Sequence, residues 1–125
     1  MKVLSTKAEK LAKEIIQEVS KNGSGSEKII DMLLDLRQYF IESEDPTVTK
    51  VLRLTAEHIK EHGSFELNVQ SDVEAVEGEE GSKDEKLVEY TPEENLNYLI
   101  GLCLDANNKY NREELFEIRD ALIAY

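Results

Sequence analysis

Two histidines four residues apart are the first place in this chain where side-chain type and spacing suggest chemistry. His58-Ile59-Lys60-Glu61-His62 has the H-x-x-E-H order of the inverted zinc proteases. On a helix, positions i and i+4 share a face, so both imidazoles could reach one cation, with Glu61 beside them as a base. A catalytic zinc also needs a third protein ligand and a walled cleft, and the sequence nominates neither. Gly63 ends the helix directly after His62, and Glu57 and Glu61 fit a solvated helix face. Metal or small-ligand binding through His58 and His62 is therefore the alternative reading. No metal ligand, cofactor or catalytic residue is assigned, and an enzyme is not expected.

Two other candidates fail on their own terms. The stretch from Asp105 to Asn111 has the polarity of a calcium loop between helices. Its sixth position must be glycine for the sharp turn and is Tyr110, and its twelfth must be a bidentate carboxylate and is Phe116. A polar helix-to-helix turn explains it better. Cys103 falls on an apolar stripe with Ile100 and Leu104, where a free thiol behaves as a small hydrophobe. No glycine-rich nucleotide fingerprint, Walker loop or nucleophile elbow occurs, and no motif is specific enough to identify a family.

Charge is the larger signal. The chain has 125 residues and a net charge of -12, and the stretch 63–90 holds nine acids against two bases. Seven of the twelve net charges therefore belong to one segment. Its tip, Glu77-Gly78-Glu79-Glu80-Gly81-Ser82, has no large apolar side chain to offset the entropy of ordering it. A disordered acidic loop is expected over 71–86. Phe65-Glu66-Leu67-Asn68-Val69 alternates apolar and polar, and Leu87 to Tyr90 does so more weakly. A short β-hairpin at the base of the loop is consistent with that pattern.

The elements flanking this spacer read as capped amphipathic helices. The first is expected to open with a Thr6–Glu9 capping box, turn Ala8, Leu11, Ala12, Ile15, Ile16 and Val19 to one apolar face, and stop at Asn22-Gly23. Ser24 or Ser26 caps the second. The second carries Ile29, Ile30, Met32, Leu33, Leu34, Leu36, Tyr39, Phe40 and Ile41, more than one stripe. So wide an arc suits a central helix touching several neighbours or one that also makes an oligomer contact. The third opens at Asp45-Pro46 and ends at His62-Gly63. The fourth has Thr91 as cap, Pro92 first and Glu94 to complete a capping box. The fifth has Asn111 as its expected cap with Glu114 three residues on. The short link between the last two predicts an antiparallel hairpin.

These elements predict one all-α domain over residues 1–125. The architecture expected is a four- to five-helix bundle with the acidic insertion between the third and fourth helices.

Composition narrows the function classes. A pI near 4.6 opposes nucleic acid, whose phosphates must be met by Lys and Arg, and opposes anionic lipid for the same reason. A single cysteine, no apolar leader at the start of this sequence and no run long enough to span a bilayer point to the cytoplasm. The expectation is a non-catalytic interaction module: an adaptor, a regulator or an immunity-type inhibitor of a basic protein. Glu74, Glu77, Glu79, Glu80, Asp84 and Glu85 are the candidate steering residues. Tyr39 and Phe40 are candidate apolar contacts and Tyr125 a terminal one, with self-association through the second helix as a related expectation.

Overall fold

The computed structural model describes residues 6–67, 69 and 90–125. They form five helices and, among the described residues, no strand: α1 (Thr6–Asn22), α2 (Glu27–Glu42), α3 (Pro46–His62), α4 (Pro92–Leu104) and α5 (Lys109–Ala124). Helix neighbours follow the order α1–α2–α3–α5–α4 and back to α1. The ring closes because the α4–α5 pair packs against both ends of the first three helices. The all-α expectation holds. The expected disordered loop over 71–86 and the far side of the expected hairpin lie outside the described residues. On the near side, Phe65, Glu66, Leu67 and Val69 are not strand.

Each helix contributes a stripe to one core. Ala8, Ala12, Ile15 and Val19 of α1 are buried at the i, i+4, i+7, i+11 spacing that a helix repeats on one face. Ile29, Leu33, Leu36 and Phe40 of α2 do the same. Val48, Val51, Leu52, Thr55, Ala56 and Ile59 line α3, and Leu96, Leu99, Ile100 and Cys103 line α4. Burial of each large aliphatic side chain is worth about 1.5–3 kcal/mol. Thr55 is acceptable there because its hydroxyl donates to the Val51 carbonyl at 2.7 Å.

Caps fix where the helices begin. Ser26 accepts from the Ile29 N–H, and Asp45 accepts from the Val48 N–H with Pro46 following it. Thr91 and Glu94 form the full reciprocal capping box. Two expectations are corrected. Thr6 is the first residue of α1, not its cap, so the capping position falls outside the described residues. The cap of α5 is Asn108, whose side chain accepts from the N–H groups of Tyr110 and Asn111. Asn111 instead lies inside the helix and donates to the Asp105 carbonyl at 3.1 Å. Glu114 does not close a capping box either. It accepts from the Tyr98 hydroxyl and so ties α5 to α4.

The start of the spacer is also corrected. Phe65 is fully buried, and Leu67 and Val69 pack against the core. The acidic segment thus begins with an anchored stretch. Ser24, expected as an alternative cap, holds that anchor: its hydroxyl accepts from the Phe65 N–H at 3.2 Å.

Candidate functional site

The surface that the core leaves over is most informative on α2. Shifted by one residue from its buried stripe, Ile30, Leu34 and Ile41 form a second apolar row. Ile30 is half-buried against the core, whereas Leu34 is 38% exposed and Ile41 43% exposed. A central position was one explanation for the wide arc of this helix. Packing against α1 and α3 accounts for most of the arc, Ile30, Met32 and Tyr39 included, but leaves Leu34 and Ile41 exposed.

A groove of about 420 Å³ lies between α2 and α3 beside Ile30 and Leu34. Ile30, Leu34 and Ala56 give it an apolar floor, while Glu27, Asp31, Glu57, Arg53 and Lys60 line its sides. Arg53 and Glu57 pair with each other at 3.2 Å, one helical turn apart. That leaves two carboxylates on the α2 side facing Lys60 on the α3 side. An apolar floor inside a charged rim is the anatomy of a protein-binding patch. A second groove, of about 560 Å³, lies between α1 and α2, with Leu11 and Tyr39 set among Lys7, Lys10, Glu14 and Asp35.

The expected partner residues divide accordingly. Tyr39 is half-buried and lines the second groove. Phe40 belongs to the core at 3% exposure, so its ring has no surface to offer, which corrects its assignment as a contact. The outward row, Ile30, Leu34 and Ile41, was legible as part of the wide arc. Only the packing of α2 separates its wet side from its dry one. Glu74, Glu77, Glu79, Glu80, Asp84 and Glu85 lie outside the described residues. Tyr125 is 56% exposed and joins a different cluster, at the far end of α3.

In that cluster four rings converge. The His58 ring lies 4.6 Å from His62, 4.7 Å from Tyr125 and 5.6 Å from Phe65, centroid to centroid. His58 is buried, at 6% exposure. Its Nε2 accepts the Glu66 N–H at 3.0 Å, so the neutral ring carries its proton on Nδ1. Burial, reinforced by the neighbouring His62, lowers the His58 pKa, and Glu66 and Glu61 only partly oppose this. A cation shared between the two Nε2 atoms would have to displace the Glu66 amide. Among the described residues no three His, Cys, Asp or Glu side chains converge as a metal-binding group.

Cys103 is buried, and burial pushes its thiol up to about 12. The thiolate that nucleophilic chemistry needs is therefore suppressed. Nearby, Arg112 and Asp45 form a two-pronged ion pair that joins α5 to the α2–α3 turn. No helix among the described residues is long and apolar enough to cross a membrane. Searches of protein-family models, curated proteins and solved structures find no match to this chain.

Proposed function

We propose that this chain is a non-catalytic, cytoplasmic interaction module. It is a small acidic five-helix bundle that receives a basic protein on the α2–α3 face, as an adaptor, a regulator or an immunity-type inhibitor. The observation that carries this reading is the outward apolar row of α2. Leu34, 38% exposed, lines an apolar-floored groove with charged sides, and Ile41, two turns further along the row, is 43% exposed. A helix that already has a complete buried stripe gains nothing for folding from a second one.

Charge supports the sign of the partner. Nine acids against two bases in 63–90 create a field that speeds encounter with a cationic surface and weakens as salt rises. The groups with chemical potential support a binding role over a catalytic one. The His58 acceptor atom is occupied by a backbone amide, and the Cys103 thiol is held protonated.

A photo-crosslinking amino acid placed at Leu34, and separately at Lys13 on the exposed face of α1, tests the reading in the native cell. Crosslinks to one basic protein from position 34 and not from position 13 support it. Equal labelling from both positions, or none from position 34, contradicts it.

The same α2 face could also be used for self-association. Sedimentation equilibrium distinguishes the two uses. Concentration-dependent dimers abolished by Leu34→Glu would support the second use, and a strict monomer at high concentration would refute it.

A further inference from the structure

The cluster at the end of α3 does something the partner face does not require. The residues that open the acidic spacer are held to the helices by two backbone hydrogen bonds with side-chain acceptors. Ser24 in the α1–α2 turn accepts from Phe65 at 3.2 Å, and His58 on α3 accepts from Glu66 at 3.0 Å. The Phe65 ring is fully buried and meets His58 edge-on. The two acceptors differ in kind. A serine hydroxyl accepts at any pH, whereas an imidazole nitrogen accepts only while it is unprotonated.

We propose that His58 is a proton-released latch: its neutral ring holds the Glu66 amide, at the base of the acidic spacer, against α3, and protonation at Nε2 releases that bond. The protonated nitrogen becomes a donor facing the Glu66 N–H. Two donors then oppose each other in a buried place, where an unmade hydrogen bond is costly. Burial of the ring, and after it the charged groups around it, set the pH at which this happens. From α3 come Glu61 and His62, and from the spacer itself comes Glu66. From the end of α5 comes the Tyr125 phenol, which donates to the Glu66 carboxylate at 3.4 Å. His62 opposes a charge on His58, whereas Glu66 and Glu61 favour it. Burial of the ring is the largest cause and outweighs both carboxylates, so release falls below the ordinary histidine range.

The consequence is a coupling between proton activity and the hold on the acidic segment at Glu66. With Glu66 held, the stretch from Phe65 to Leu67 is fixed to the helices by two hydrogen bonds as well as by packing. With it released, Phe65 keeps its burial and its bond to Ser24, and the change is confined to the Glu66 amide.

Amide exchange resolved to single residues tests the latch in the intact protein. Measured between pH 7.5 and pH 5 and corrected for intrinsic rates, the Glu66 amide of the wild type should lose about tenfold protection, the scale of one net hydrogen bond. The Val51 and Leu52 amides inside α3 should keep theirs. His58→Gln supplies an acceptor that does not titrate, and should hold Glu66 protection level across the same range. His62→Gln removes the opposing charge and should move the transition to higher pH. Equal protection of Glu66 in the wild type at both pH values would overturn the proposal. So would a loss that persists unchanged in His58→Gln, since the proton would then act elsewhere.

Discussion

Arg112 and Asp45 meet in a bidentate ion pair, Nη1 to Oδ1 at 2.8 Å and Nη2 to Oδ2 at 2.9 Å. The two residues are far apart in sequence, and the pair fastens α5 to the start of α3. Asp45 has a second duty, since the same Oδ1 accepts the Val48 N–H as the α3 cap. Its carboxylate is nearly buried, at 6% exposure, and Arg112 is at 18%. The hydrogen bond to Asp45 is the main cause of the raised Arg112 pKa. Removing one partner of such a pair leaves a charge without compensation. Asp45→Ala, which loses both the pair and the cap, should cost about 3 kcal/mol in urea unfolding. Arg112→Met in the Asp45→Ala background should cost much less than it does alone. A loss under about 1 kcal/mol for Asp45→Ala would show that the pair is decorative.

Gly25 should resist substitution for a reason specific to its place. A Cβ built there would overlap the backbone carbonyl of Gly63, the left-handed cap of α3. Both partners are backbone, so neither can swing away. Gly25→Ala should destabilise by about 1–3 kcal/mol, the range for forced overpacking. It should also loosen the Ser24 hold on Phe65, visible as faster exchange of the Phe65 amide. Unchanged stability and exchange would mean that the two turns do not touch.

Cys103 should be silent in the native state. It is 1% exposed, with its pKa pushed up to about 12 by burial. A thiol-reactive disulfide reagent at pH 8 should therefore label it only at the rate of unfolding. Full labelling within seconds in the absence of denaturant would place the residue at the surface instead.

The lowered His58 pKa fixes the sign of one pH effect on stability. The unfolded chain takes up a proton near the ordinary value of 6.5, while the folded chain resists doing so until lower pH. Between those two values the unfolded state binds more protons, so stability falls as pH falls. The contribution of the neutral ring is complete above about 6.5 and declines below it. Chemical denaturation at pH 7.5, 6.5 and 5.5 should show this decline in the wild type and a shallower one in His58→Gln. Parallel profiles would mean that His58 is not the group responsible.

Much of the fold was legible where the signals are local. Asp45-Pro46 and the Thr91–Glu94 pair place the starts of α3 and α4 because capping chemistry is contained within four residues. The α5 start was misread for a related reason. Asn111 with Glu114 has a capping-box spacing, but Asn108 offers an equally good acceptor one turn earlier, and local pattern does not rank the two. Phe65 was hidden by its surroundings: averaged over an acidic, glycine-containing segment, one aromatic carries little weight, yet it is buried completely. The Asp45–Arg112 and Ser24–Phe65 contacts join distant parts of the chain and have no periodic signature. The α2 row was visible as excess width. Separating Leu34 and Ile41 from Phe40 required knowing which two helices α2 touches.

The partner face is tested most directly by affinity capture from the native cell, read by quantitative mass spectrometry. The wild type is compared with Leu34→Glu and with a chain lacking residues 72–86, each at low and high salt. One basic protein should be enriched by the wild type and lost with Leu34→Glu. It should be retained at reduced yield by the deletion, with the wild-type yield falling as salt rises and the deletion far less sensitive to it. Capture of the same proteins by the wild type and Leu34→Glu, with no basic protein distinguishing them, would contradict a binding role for the α2–α3 face.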